Sequence, residues 1–437
     1  MIATPPNTSP EPWTFSADGV LEALTWAQAV DALQSTLAGG FDPETDSDRH
    51  SIDAAGGHML LMPSSTGQRV GVKVLTVRNG PDATGSLPTI QGAYVLLDGD
   101  SMAPLAFLDG AALTKVRTAA TSALAIRHLA DRPLPRLAVF GTGAQAHGHA
   151  SALHATAGVE QVDVVARDSA KGEAFVRQLR SEGIPASLAT PAAVSAADII
   201  ACTSSAGAPL FSGDAVRDHA LVLAIGSHTP TTRDIDSTLV SRGSVVVESR
   251  RSAQREAGAV LIPQSENLLY VQDLPTLSDL VQGRYAVSAG TGPRIFVGTG
   301  MAWQDLSIAG AVFAETQKQM PGLTSPKYLQ PCPTTNASRD TAPYRVERNP
   351  VGFHTDRDTF ASPATAHLGQ ARRTGEGEWV AVDNYGRPVA TIWSPYLGRP
   401  NTFRCDPLPH ARYVDAVEAD DFSVVLDYAL NNFSTPL

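Results

Sequence analysis

A short apolar strand, Leu137-Ala-Val-Phe140, runs directly into Gly141-Thr-Gly143-Ala144-Gln145-Ala146 at the head of an alanine-rich helix. This G-x-G-x-x-A turn constrains the fold more than any other stretch. Gly141 permits a tight turn, Gly143 lets backbone N–H groups approach a pyrophosphate, and Ala146 keeps the helix close to the sheet, with the positive end of the helix dipole facing the turn. A second apolar strand, Val162 to Ala166, follows at βαβ spacing, so the turn is predicted to hold a dinucleotide.

Beyond it, apolar segments at Ile199 to Thr203, Leu221 to Ile225, Val245 to Glu248 and Ile295 to Val297 alternate with helical patterns. That alternation predicts a Rossmann-type, doubly wound parallel sheet of the α/β class. Ahead of it lie a helix over Thr25 to Leu37 and a strand over Gly71 to Val77. Two further strands, Ile90 to Leu97 and Pro104 to Leu108, should pair across the Asp98-Gly-Asp turn. This α+β layer is joined to the next by a helix over Leu113 to Ala130 and the Pro133-Leu-Pro135 hinge. A helix over Trp303 to Gln319 is amphipathic enough to pack back on it. The expected division is therefore a discontinuous substrate-binding and dimerisation domain, 1–115 with 303–325, around a dinucleotide domain, 116–302. Prolines crowd the chain after Met320, giving a linker over 326–344 and a small C-terminal module over 345–437. There, Trp379 to Val382 and Val389 to Trp393 flank Asp383-Asn-Tyr-Gly386 as a hairpin, and Phe422 to Asn431 has a helical pattern.

The 437 residues carry a net charge of -11 and a pI near 5.4, which disfavours nucleic acid or an anionic membrane as partner. A small molecule fits better. The N-terminus is polar and proline-rich and no long apolar run occurs, so a cytoplasmic setting is expected. Cys202, Cys332 and Cys405 are too widely spaced for a zinc pattern or disulfide framework and read as structural thiols.

Lys73, the run Arg117-Thr-Ala-Ala-Thr-Ser-Ala-Leu-Ala, Phe140-Gly-Thr-Gly-Ala-Gln145 and Gly298-Thr-Gly-Met-Ala-Trp-Gln-Asp305 occur in this order. In these motifs the chain resembles the ornithine cyclodeaminase and mu-crystallin family over roughly residues 20 to 320. The resemblance implies a homodimer whose substrate domain packs on a Rossmann domain, with nicotinamide facing a small amino or imino acid. Such a substrate presents a carboxylate, which calls for arginine, and a C=N or C–N centre, which calls for a proton donor. Arg49, Lys73 and Arg117 match substrate-contacting positions. Arg49 and Arg117 are read as the carboxylate clamp, and Lys73, among apolar neighbours, as a partly desolvated proton carrier with a lowered pKa. Arg49 sits in a polar loop that would also suit a solvated arginine, and Arg117 could instead pair with Asp109 or Asp131. Asp305 reads as an N-terminal helix charge near the cleft.

Two departures separate the chain from the cyclodeaminases. Leu60 stands where they carry a glutamate, and His228, in Ala224-Ile-Gly226-Ser227-His228, stands where they carry the aspartate that activates the ornithine side chain. His228 is read as a proton donor or substrate-orienting group, with a structural role left open. Gly141, Gly143, Ala144 and Gln145, with Thr203, Ser204, Gly226 and Ser227, are expected to line the cofactor. At the end of the second Rossmann strand, Arg167 suits a 2′-phosphate and favours NADPH over NADH, whereas Asp168 would reverse the preference if it took the ribose. The expected activity is hydride transfer to the C=N carbon of a small ketimine or α-imino acid. An amino-acid or opine-type dehydrogenase, a cyclodeaminase and a non-catalytic NADPH-binding protein are the alternatives. His354, Asp356 and His410 faintly resemble an Fe(II) oxygenase triad, but about 90 residues are too few for that barrel, and no metal is expected.

Overall fold

The computed structural model describes residues 12–80, 88–287 and 292–319, and the backbone of six strands between 359 and 419. The chain divides into two compact units, 1–330 and 331–437.

The first unit opens with β1 (Trp13–Phe15), α1 (Ala17–Glu22) and α2 (Trp26–Ala38). Thr25 starts α2 with a capping box, its hydroxyl accepting the Gln28 N–H while the Gln28 side chain accepts the Thr25 N–H. The chain then forms β2 (His50–Ala54), β3 (Gly57–Ser65), β4 (Arg69–Arg78), β5 (Ile90–Asp98) and β6 (Pro104–Asp109), which with β1 make a sheet of order β1-β6-β5-β4-β3-β2. The β5–β6 pair turns at Asp98 as expected. The β2–β3 hairpin, absent from the sequence reading, turns at Gly56-Gly57. Gly57 has φ +152°, and a Cβ there would lie 2.0 Å from the Val77 carbonyl oxygen. Helix α3 (Gly110–Leu129) follows, capped by Asp109.

The second sheet is assembled from β7 (Arg136–Phe140), α4 (Ala144–Thr156), β8 (Gln161–Val165), α5 (Ser169–Ser181), β9 (Ala186–Ala189), β10 (Ile199–Cys202) and β11 (Leu221–Ala224). It is completed by α6 (Ser237–Arg242), β12 (Ser244–Val247), α7 (Arg250–Glu256), α8 (Gly258–Ser265), α9 (Leu277–Val281) and β13 (Arg294–Val297). All its pairs are parallel, in the order β12-β13-β11-β10-β7-β8-β9. Strand order reverses between β7 and β10, which opens a crevice at their carboxyl ends, beside Gly141 and Thr203. Helix α10 (Ala302–Gln319) then returns to the first sheet, packing on β3, β4 and β5 and beside α2 and α3.

That return sorts the two faces of the first sheet. Leu60, Met62, Lys73, Leu75, Tyr94 and Leu108 share the face that meets the helices, by cross-strand pairing and i,i+2 alternation. The opposite face carries Leu61, Pro63, Val72, Val74, Val95 and Phe107, half-buried except for Phe107, which is 39% exposed.

Helices α3 and α4 are locked by a buried histidine. The His149 ring nitrogens lie 2.7 Å from the Gln145 carbonyl and 2.8 Å from the Ser122 hydroxyl, and burial lowers its pKa to about 4. The unfolded chain binds this proton below its ordinary value of 6.5 and the folded chain only near 4, so His149 destabilises the fold as pH falls through that window. Buried Asp234, raised to about 6, has the opposite sign, because the folded state then binds the extra proton. The contribution of His149 is therefore read as a difference. In denaturant melts from pH 7 to 4.5, wild type should lose about 2 to 3 kcal/mol relative to His149→Gln. A parallel response of the two proteins would remove His149 from the acid transition.

In the second unit, β14 (Thr359–Phe360), β15 (Gly369–Gly375), β16 (Glu378–Asp383), β17 (Pro388–Trp393), β18 (Phe403–Pro407) and β19 (Val417–Ala419) form an antiparallel meander. The β16–β17 pair is the hairpin expected around Asp383-Asn-Tyr-Gly386. The helix expected over Phe422 to Asn431, and His354, Asp356, His410 and Cys332, lie outside the described residues.

Candidate active site

Lys73 projects from the middle of β4 into the interface with α10 and α3 and is completely buried. Its Nζ donates to Asp305 Oδ2 at 2.7 Å and to Thr114 Oγ1 at 3.1 Å. Burial pulls the ammonium pKa down to about 8, against the attraction of Asp305 and with further lowering from Arg117 and Arg49. Expected to be partly desolvated among its apolar neighbours, Lys73 is instead fully enclosed. Asp305, read from sequence as a helix-end charge, instead sits fully buried in the first turn of α10 as the counter-ion of Lys73.

Arg117 lies two turns into α3 and pairs with neither Asp109 nor Asp131. Asp109 caps α3 and Asp131 pairs with Arg294. The Arg117 guanidinium donates from Nη1 to Gln304 Oε1 at 2.9 Å, and its Nε stands 3.5 Å from Asp305 Oδ1. Arg49, immediately before β2, is not a solvated surface group. Its Nη2 donates to the carbonyls of Thr299 and Gly300 at 2.8 and 2.6 Å and pairs with Glu256 at 3.0 Å. The turn between β13 and α10 thus takes one arginine on its carbonyls, while Glu248 accepts its Thr299 and Gly300 N–H groups and the Gln304 amide. Gly300 adopts φ +80°, and a Cβ there would lie 2.3 Å from Arg117 Nη1, so only glycine allows the guanidinium this close. The contacts of Arg49 all fall on Nη2 and the hydrogen bond of Arg117 on Nη1, which leaves other guanidinium nitrogens of each to meet a carboxylate.

The segment that delivers Arg49 is itself fixed by acids. Glu44 accepts the N–H groups of Arg250 and Arg251 and the Ser249 hydroxyl, capping α7 from the other layer. Asp46 accepts the Trp303 N–H and the Ser64 hydroxyl, capping α10. Glu44, Asp46, Glu248 and Glu256 were not singled out from the sequence.

At the crevice, Gly141 has φ +126° and donates its N–H to Val165. Helix α4 begins at Gly143 with no side-chain cap, whereas α5, α6 and α7 carry Asp168, Asp236 and Ser249. A Cβ on Gly143 would meet nothing within 4 Å. Open space before uncapped N–H groups is what a pyrophosphate requires. Gln145 Oε1 and Ser204 Oγ are buried there without protein partners, so the residues present fit a dinucleotide. Thr203 is turned inward, donating to the Phe140 carbonyl, and the Gly226 N–H and Ser227 hydroxyl are engaged by Asp234 and Thr232. Arg167 is exposed beyond β8, and the Asp168 carboxylate caps α5 by accepting the Lys171 N–H. Thr114 connects the two halves. Its hydroxyl oxygen accepts the hydrogen bond from Lys73 Nζ, and its carbonyl faces Gln145 Nε2 at 3.5 Å, the long limit of a hydrogen bond.

His228 lies outside the buried core of the site, in the exposed loop after β11. Partial desolvation, then the charge of Arg49, holds its pKa below the ordinary value. Leu60 lies on the same sheet face as Lys73, opposite Leu75, and presents no carboxylate there.

A parallel sheet with an open glycine turn beside a buried lysine and two anchored arginines defines a dinucleotide-binding protein with a site for a small anionic substrate. Residues 20–319 match the ornithine cyclodeaminase/mu-crystallin family, and the chain belongs to it. It is 33% identical over 258 residues to a Delta(1)-pyrroline-2-carboxylate reductase of Bacillus cereus, covering 57% of this chain and 79% of that one. With the Paracoccus denitrificans protein of the same name it shares 31% identity over 297 residues, covering 66% and 92%. Among solved structures, the Thermococcus litoralis Delta(1)-pyrroline-2-carboxylate reductase in complex with NADH and L-proline superposes with a TM-score of 0.66. At 21% identity over 70% of this chain and 98% of that one, it shows a shared fold. The second unit lies beyond the family match.

Proposed function

We propose that the chain is an NADPH-dependent reductase of a small cyclic ketimine acid, of the Delta(1)-pyrroline-2-carboxylate type, giving the corresponding amino acid. The observation that carries this reading is the buried Lys73 ammonium, joined through Thr114 to the open glycine turn and flanked by two arginines with donors to spare. Among the described residues, those of 12–115 with 303–319 form the substrate layer and those of 116–302 the dinucleotide layer. Gly141, Gly143, Ala144 and Gln145 with Thr203, Ser204, Gly226 and Ser227 line the cofactor crevice, and Arg167 takes the 2′-phosphate.

A nicotinamide held there supplies the hydride that converts C=N to CH–NH. Arg49 and Arg117 hold the carboxylate and so fix the ring. Lys73 Nζ gives its proton to the imine nitrogen, which makes the carbon electrophilic, and is reprotonated from water. A pKa of about 8 keeps the lysine charged at neutral pH yet able to give up the proton. Leu60 supplies an apolar wall for the ring, with no acid for a distal ammonium, which disfavours ornithine cyclisation. His228, at the rim, orients the substrate. The row from Leu61 to Phe107 on the opposite sheet face, half-buried apart from exposed Phe107, is the surface on which two copies would pair, as a homodimer.

The test is NADPH oxidation with a panel of cyclic ketimine acids, run beside keto acid plus amine pairs and beside ornithine with NAD. Rapid oxidation by a ring ketimine is expected. Tight NADPH binding without oxidation by any of them would replace the reductase reading with a binding protein.

A further inference from the structure

We propose that Asp305 is the positioning residue of this site: one carboxylate holds the Lys73 ammonium and the Arg117 guanidinium in a single frame, and keeps Lys73 in the charged form that can donate a proton. The role assigned to Lys73 rests on the reductase reading above; the pairing itself does not.

The geometry is specific. Asp305 Oδ2 accepts from Lys73 at 2.7 Å, while Oδ1 faces Arg117 Nε at 3.5 Å and accepts no hydrogen bond from protein. Arg117 Nε likewise has no hydrogen-bond partner. The carboxylate is therefore committed to Lys73 and aligned with Arg117 by charge. Its backbone is set by the first turn of α10, which Asp46 caps through the Trp303 N–H. The groups facing Lys73 are Asp305 from α10, Thr114 and Arg117 from α3, Arg49 from the loop before β2, and Tyr94 beside it on β5. The arginines repel it and Tyr94 is neutral. Asp305 is the one facing anion among the described residues, so without it burial would strip the proton from Lys73. Asp305 would not touch substrate, and it acts through the two cations.

The chain contains only five lysines, at 73, 115, 171, 318 and 327. Their ε-carbons, labelled with 13C, can be followed individually through a pH titration, with the Lys73 signal assigned by its loss in Lys73→Met. Asp305→Asn should lower the Lys73 midpoint by at least one pH unit from about 8. It should reduce kcat at least tenfold and shift the alkaline limb of the pH profile in the same direction, with dinucleotide affinity unchanged within threefold. An unmoved Lys73 midpoint overturns the proposal, whatever happens to the rate. Because the titration needs no turnover, it separates this outcome from failure of the reductase reading. If Asp305→Asn does not fold, the double variant Lys73→Met/Asp305→Asn decides: recovery of folding on removing both charges supports the pairing, and continued failure shows that Asp305 serves the fold alone and overturns it.

Discussion

Replacing Lys73 with methionine is expected to lower kcat by about 10²- to 10⁴-fold, the usual contribution of a positioned general acid. NADPH affinity, read by fluorescence quenching, should stay within a few-fold. Methionine nearly matches the lysine stem in length and is at home on a fully buried face between Met62 and Tyr94. It cannot supply a proton, and it leaves Asp305 without its principal counter-charge, so some loss of thermal stability should accompany the loss of rate. The dinucleotide turn begins on another strand of another sheet and should not register the change. Turnover that survives the substitution would remove Lys73 from the chemistry and leave the site to ligand binding. In the wild type, kcat/KM should fall as pH rises through about 8, because the folded-state lysine there loses the proton it must deliver.

Arg167→Ala should narrow the preference for NADPH over NADH, as the ratio of kcat/KM values, by about 10- to 100-fold, which corresponds to one charge-assisted hydrogen bond of about 1.5 to 3 kcal/mol. Arg167 is exposed, two residues beyond β8, so the substitution should leave the melting temperature close to wild type. Asp168 does not offset the effect, because its carboxylate caps α5. An unchanged ratio would mean that the 2′-phosphate is read by other groups.

The parts of this molecule that follow a local rule were legible in its sequence. The glycine turn and the apolar strands ahead of each helix follow short-range sterics and period, and they predicted β7, β8, β10, β11, β12 and β13 within a residue or so. Strand β9, Ala186–Ala189, passed unnoticed because one leucine among two alanines and a serine carries too weak an apolar signal. Lys73 stood out as a charge in an apolar strand. Its partner did not, since Asp305 lies 232 positions away in the first turn of a helix, where an acid already has the dipole as an adequate local explanation. The same limit hid the loop over Pro43 to Arg49. Its run of acids looks like a solvated surface, yet Glu44 and Asp46 cap two helices from the opposite layer, a role that exists only once both layers are assembled. Gly300 offered a clue in the Gly298-Thr-Gly motif, but that its missing side chain makes room for Arg117 depends on a contact between α3 and the turn before α10.

In the proposed reaction a hydride passes from the dinucleotide to the carbon of a C=N bond. This transfer is tested most directly with NADPH carrying deuterium at the transferable position of the nicotinamide and Delta(1)-pyrroline-2-carboxylate as substrate. Mass spectrometry and proton NMR of the product should find one deuterium at the Cα of proline for each dinucleotide oxidised. Proline without deuterium at Cα, or proline arising from ornithine with no net consumption of dinucleotide, would contradict it.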